Sequence, residues 1–306
     1  MRLTLRDAFC WFLVLSSFTS VKADEPDDSR IIQQILQARE QILKLEQKGK
    51  AWASPVFLAF WDFDGTILKG DCTEGLKNDS QTVYRGLAEV AIENGLSELY
   101  PSAGGFERFW TDYTNMDERV GHWLAYPFVA QMLRGAKEEH VLRLSQSYFS
   151  GTLSNYLMAS SVKIMHELEH HGIHSHIISA SPELFVKGAA ESLAISARSI
   201  HGIQVRTKSG RLTEELVYPV TWNVGKLERL KQIVVEIQAG PRPRKAYVLA
   251  GFGDSYSTDG PFLKFIATQS LPAGKPIAVF YGEDAAPADY KGVFYQANHS
   301  ATVSNR

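Results

Sequence analysis

The sequence predicts an α/β protein: a doubly wound, mostly parallel sheet interrupted by a long helical insert. Three observations carry this. Val56–Trp61 is an apolar run that ends directly in Asp62-Phe63-Asp64-Gly65-Thr66, the pattern of a parallel strand buried on both faces. Residues 80–172 read as helices with short breaks. From His174 to about Phe280, strand and helix patterns alternate, which implies parallel strands joined by crossover helices.

The 306 residues, 44% hydrophobic and 22% charged, are enough for a substantial core. A net charge of −2 gives no electrostatic footprint for nucleic acid. Arg2 and Arg6, an apolar stretch from Ala8 to about Phe18 and the small-x-small Val21-Lys22-Ala23 read as a secretory signal. That apolar stretch is too short to span a bilayer. The protein is therefore expected to be exported, periplasmic or secreted, after loss of residues 1–23, with no stable membrane insertion. Cys10 lies in this segment, leaving Cys72 as a lone thiol, best placed as a buried small hydrophobe. Asn78-Asp79-Ser80 and Asn298-His299-Ser300 are glycosylation sequons in a eukaryotic host.

Residues 30–49 form a helix with Ile31, Ile35, Leu36, Ile42 and Leu43 on roughly one face. The first strand, 56–61, follows. Expected helices are Gln81–Asn94, Phe106–Thr114, Glu118–Leu133, Glu138–Phe149 and Ser160–His171, with Pro101–Gly105 as a loop. Strands at His176–Ile178, Gly202–Arg206, Ala246–Ala250 and Ile277–Phe280, with a helical run Leu227–Val235, complete the pattern. The domains expected are an α/β core (24–70 and 174–306) and a helical cap (71–173).

Asp62 and Asp64, at i and i+2, leave an extended segment on one side. They project into the crevice beyond the strand's carboxyl end, where open α/β sheets bind ligands. Gly65 allows a sharp turn, and Thr66 can hydrogen-bond it. Two adjacent carboxylates repel, and a divalent cation with oxygen preference, Mg²⁺, keeps both ionised. One aspartate can then serve as nucleophile and the other as proton carrier. Ser179 closes a strand before Pro182, where a hydroxyl and helix-terminal N–H groups suit a phosphate oxygen. Lys226 sits in a first helical turn, against the dipole, which suits an anion or a carboxylate partner. Asp254 follows another buried strand and a glycine, and Asp259 is placed to position Lys226. Each motif alone has a plainer structural reading: a capped turn, a helix-capping serine, a solvent-facing lysine.

The order D-x-D-G-T, strand-Ser, Lys, G-D-x-x-x-x-D resembles the haloacid dehalogenase superfamily of phosphohydrolases. Ser179–Glu183, Gly225–Leu230 and Gly253–Ser255 look like its phosphoserine-phosphatase branch. The resemblance covers about residues 56–71 and 174–282. It implies a Rossmann-like core, Asp62 as nucleophile forming an aspartyl-phosphate, and Asp64 as acid/base. It implies Thr66, Ser179 and Lys226 as the phosphate-binding residues, and Mg²⁺ held by Asp62, Asp254 and the Asp64 carbonyl. Asp64 favours phosphate chemistry, because the dehalogenase branch lacks this second aspartate. Asp71 falls where phosphoserine phosphatases carry a glutamate that binds the substrate's amino group, which makes it the expected specificity residue. Trp110, Tyr113, Trp123, Tyr126 and Phe128 can pack as core or cage a quaternary ammonium. His166, His170, His171, His174 and His176 crowd together without a third zinc ligand at suitable spacing. The expected function is Mg²⁺-dependent hydrolysis of a small phosphorylated metabolite. The alternatives are phosphotransfer to an alcohol at the same site, and a non-catalytic exported binding protein on a phosphatase scaffold.

Overall fold

A computed structural model describes residues 27–48, 55–79, 81–299 and 302–303. The expected signal segment, with Ser80 and Ser300 of the two sequons, lies outside them. Helix α1 (Asp27–Lys48) precedes strand β1 (Val56–Trp61). A hairpin of β2 (Gly75–Asn78) and β3 (Gln81–Arg85) follows, then α2 (Leu87–Glu93), α3 (Gly105–Arg119), α4 (His122–Gln131), α5 (Glu138–Gly151) and α6 (Ala159–His170). After β4 (Ile173–Pro182) come α7 (Glu183–Val186), β5 (Ile200–Lys208), β6 (Arg211–Val217), α8 (Val224–Ala239), β7 (Ala246–Gly253), α9 (Gly260–Ala267), β8 (Ile277–Phe280) and β9 (Tyr295–Gln296).

Seven strands form one sheet in the order β6-β5-β4-β1-β7-β8-β9. All neighbours are parallel except β5 and β6. The sequence accounts for the central place of β1, since all six of its residues are buried. Its side chains alternate between two cores. Phe57, Ala59 and Trp61 join Ile31, Ile35 and Ile42 of α1. Val56, Leu58 and Phe60 join Leu230 and Ile233 of α8 and Phe262, Leu263 and Ile266 of α9. The sheet is thus covered on both faces, the arrangement parallel strands require. Trp61 stacks on Phe252 of β7 at 3.7 Å between ring centres and 9° between planes, pinning together the two strand tips that carry Asp62 and Asp254.

The structure departs from the expected elements in the segment between β1 and β4. The helix expected over Gln81–Asn94 is a strand followed by a helix. Gln81–Arg85 pairs antiparallel with Gly75–Asn78, and only Tyr84 of β3 is buried. The helix expected over Glu118–Leu133 is split, because Gly121 adopts φ 107° between α3 and α4. Strand β4 is ten residues rather than three. Helix α6 packs against α1 and β4.

Candidate active site

The carboxyl ends of β1, β4 and β7 and the start of α8 converge on a cavity of about 260 Å³. Asp62, Asp64, Asp71 and Asp254 line it, with Thr73, Glu74, Tyr113, His122, Tyr126 and Ser181. Thr66, Ser179, Lys226 and Asp259 stand behind this lining, each fully buried.

Asp62 is gripped at both oxygens. Lys226 Nζ donates to Oδ1 and Thr66 Oγ1 to Oδ2, the latter at 3.2 Å. Lys226 also donates to Asp259 Oδ1 at 2.6 Å. Burial opposes the lysine's charge, but Asp259 and Asp62 outweigh it and raise its pKa above the ordinary value. Helix α8 delivers this ammonium because Asn223 caps it, its Oδ1 accepting from Val224 N at 2.7 Å. Gly225 is obligatory there: a Cβ would stand 1.7 Å from the Val220 carbonyl oxygen. Asp259 Oδ2 accepts from the amides of Asp254 and Ser255, both at 3.0 Å. It therefore shapes the loop after β7 as well as pairing the lysine.

Asp64 accepts at Oδ1 from Cys72 N at 2.6 Å and at Oδ2 from Ser181 Oγ at 2.7 Å. Ser179 Oγ is farther, 3.5 Å from Oδ2, and accepts from Ser181 N at 3.0 Å. Burial, aided by the Asp62 charge, pushes the Asp64 carboxyl up to about 6. Burial, then Asp62 and Asp259, pushes Asp254 up to about 9. Carboxylate oxygens of Asp62, Asp254 and Asp259 all lie within 4.8 Å of one another. Gly65, at φ 79°, leaves the space beside Asp254 open, since a Cβ would meet Oδ2 at 1.9 Å. So crowded a set of hard oxygen donors fits a divalent cation of the Mg²⁺ type.

Asp71 is half-buried, its Oδ1 accepting from the amides of Thr73 and Glu74 at 2.6 and 2.9 Å. Burial first, then Asp64 and Glu74, drives its pKa well up. Of the insert aromatics, Tyr113 and Tyr126 reach the cavity, whereas Trp110, Trp123 and Phe128 do not line it. Tyr113 donates to Glu74 Oε1 at 2.5 Å. Cys72 is buried and unpaired, and burial pushes its thiol up. The histidine group disperses: His166 meets the Leu193 carbonyl, His174 pairs with Glu169, and His176 faces His201. None of these histidines joins a metal-capable cluster among the described residues.

Sequence reading missed Ser181, Thr73, Glu74 and His122. Ser181 carried a usable signal, because it lies two residues after Ser179 in the extended β4, the same spacing that marked Asp62 and Asp64. The others come from the insert, where nothing in the local pattern announces a cavity.

Fold and site together define a doubly wound α/β protein with carboxylates gathered at its strand tips. The chain belongs to the haloacid dehalogenase-like hydrolase family, whose sequence pattern matches residues 59–264. No curated protein sequence matches it. Among solved structures, it is similar to a protein of unknown function from Bordetella pertussis Tohama I, at 16% identity and TM-score 0.57, covering 80% of this chain and 99% of that one. It is also similar to a functionally unknown protein from Anaerococcus prevotii, at 13% identity and TM-score 0.51, covering 82% and 86%. A phosphoserine phosphohydrolase-like protein from Francisella tularensis gives 17% identity and TM-score 0.45, covering 80% and 96%. The first two likenesses establish the shared fold.

Proposed function

We propose that the protein is an exported, Mg²⁺-dependent phosphomonoesterase acting on a small phosphorylated metabolite through an aspartyl-phosphate. One observation carries this reading. Asp62 is oriented at both oxygens by Lys226 and Thr66, while Asp64, two residues on, carries a carboxyl of raised pKa at the same cavity. This is the division of labour a nucleophile and an acid/base need. The motif order, with its likeness to the phosphoserine-phosphatase branch, supports phosphate as the group transferred.

In this reading an Asp62 oxygen attacks phosphorus as the ester P–O bond breaks, and the leaving oxygen takes the Asp64 proton. Asp64, now a carboxylate, removes a proton from water. The water oxygen attacks phosphorus and releases phosphate, restoring both aspartates. The Lys226 ammonium screens the repulsion between Asp62 and the substrate dianion. Asp62, Asp254 and the Asp64 carbonyl would hold the Mg²⁺, which supplies charge neutralisation at the phosphoryl oxygens. Phosphate monoesters hydrolyse so slowly unaided that accelerations up to ~10²¹ are known, which calls for nucleophile, acid and clamp together. The segment from β2 to α5 acts as the cap, excluding water and selecting the leaving group. Residues 1–23 would direct export.

The test is phosphate release by purified residues 24–306 across phosphocholine, phosphoethanolamine, phosphoserine, sugar phosphates and nucleotides, with Mg²⁺ or EDTA. Metal-dependent turnover of one class is expected. Saturable binding without turnover anywhere would favour a non-catalytic binding protein. Transfer of phosphate to an added alcohol would favour a phosphotransferase.

A further inference from the structure

Asp64 is fixed at both carboxyl oxygens by residues from two different parts of the chain. The Cys72 amide holds Oδ1 at 2.6 Å and the Ser181 hydroxyl holds Oδ2 at 2.7 Å. Neither the Ser179 hydroxyl, at 3.5 Å, nor the Cys72 thiol, at 3.7 Å, comes as near. Ser181 is itself oriented, because Thr73 Oγ1 donates to its Oγ at 3.0 Å. Hydroxyl protons therefore run one way, from Thr73 to Ser181 and from Ser181 to Asp64. Both serine and threonine are 6% exposed and line the cavity.

We propose that Ser181, backed by Thr73, is a positioning residue that aims the Asp64 carboxyl at the leaving-group oxygen and so sets how well poor leaving groups are expelled. The inference rests on the phosphatase reading of this site. As the ester P–O bond breaks, its electron pair goes to the leaving oxygen, which takes the Asp64 proton. Negative charge then develops on Asp64, and donors already in place at both oxygens stabilise it without reorganisation. Removing one donor lets the carboxyl rotate and leaves the charge less compensated. That loss matters only where the leaving oxygen needs the proton.

The experiment compares kcat/KM for p-nitrophenyl phosphate, whose phenolate leaves unaided, with that for phenyl phosphate, whose phenolate does not. Ser181→Ala should lower the phenyl value by ~10- to 100-fold and the p-nitrophenyl value by less than ~3-fold, since proton donation contributes 10²–10⁴ and depends on position. Thr73→Val, of nearly the same shape, should act in the same direction with smaller size. Ser181→Thr, which keeps the hydroxyl, should restore the ratio. In an Asp64→Asn background Ser181→Ala should add nothing further, the signature of a residue that works through Asp64. Equal losses on both esters, no loss on either, or an undiminished loss in the Asp64→Asn background would overturn the inference. Wild-type protein that hydrolyses neither these esters nor any of the panel would instead overturn the phosphatase reading.

Discussion

Lys226 is a fully buried ammonium whose placement is tolerable only because two carboxylates flank it. Replacing it by methionine leaves Asp62 and Asp259 facing each other without a cation. Breaking a buried pair in this way costs ~3–5 kcal/mol, so urea unfolding of Lys226→Met should show a loss of that order as well as lost turnover. Asp62→Asn should behave differently. It keeps the shape and leaves Asp259 paired with Lys226, so the stability loss should be smaller than for Lys226→Met while turnover falls at least ~10³-fold, as for loss of other nucleophiles. Full activity in that variant would sink the mechanism. The residues flagged at strand ends, Asp62, Asp64 and Asp254, line one cavity, and Lys226 and Asp259 pair behind it. They were legible because strand ends are short, extended and punctuated by glycine. Thr73, Glu74 and His122 were not, because a cavity wall built from an insert depends on how helices pack, not on the spacing within any one of them.

At the scale of elements, β4 and β5 are joined by more than backbone bonds. His176 and His201 stack with ring centres 5.6 Å apart, Nδ1 of the first 3.3 Å from Nε2 of the second, and Arg229 of α8 approaches His201 Nδ1 at 3.3 Å. Burial, aided by neighbouring positive charge, lowers His176 to about 4 and His201 to about 3. In the unfolded chain both protonate near 6.5, so below that pH the unfolded state binds more protons and stability drops. The pair's contribution is intact above 6.5 and is lost as pH falls through about 4 for His176 and about 3 for His201. Denaturant midpoints should therefore decline over that window, and the decline should flatten in a His176→Gln/His201→Gln double variant. Elements themselves were unevenly readable. Val56–Trp61 and Ile277–Phe280 coincide with β1 and β8, because a strand buried on both faces is an apolar run whatever its partners. Gln81–Arg85 misled because a mostly exposed hairpin strand has no apolar face, and its few hydrophobic residues merged into the period of the helix that follows. Strand β6 escaped notice for a related reason: it is an edge strand with only Leu212 buried.

For the molecule as a whole, the cluster of Asp62, Asp254 and Asp259 is a place where folding couples to pH. A carboxyl raised to about 9 in the folded state binds a proton that the unfolded state releases, so Asp254 makes the metal-free protein less stable as pH climbs from the ordinary carboxylate range toward 9. Mg²⁺ binding should displace that proton. Calorimetric titration near pH 7.5 in buffers of different ionisation heat should register proton release, and Asp254→Asn should abolish it. Mg²⁺ at a hundred times its dissociation constant should add about 2.7 kcal/mol of stability, and EDTA should reverse the gain in melting temperature. The strand order has a consequence for biogenesis. Chain order makes β1 the earliest strand of the large sheet, yet it lies in the middle, and its neighbours β4 and β7 begin only at Ile173 and Ala246. During synthesis β1 is therefore an apolar ribbon with two bare edges until Ile173 is reached and with one bare edge until Ala246. A polypeptide arrested before Ala246 has no partner for one of those edges and should self-associate, so the vulnerable moment of this protein is its translation rather than its working life.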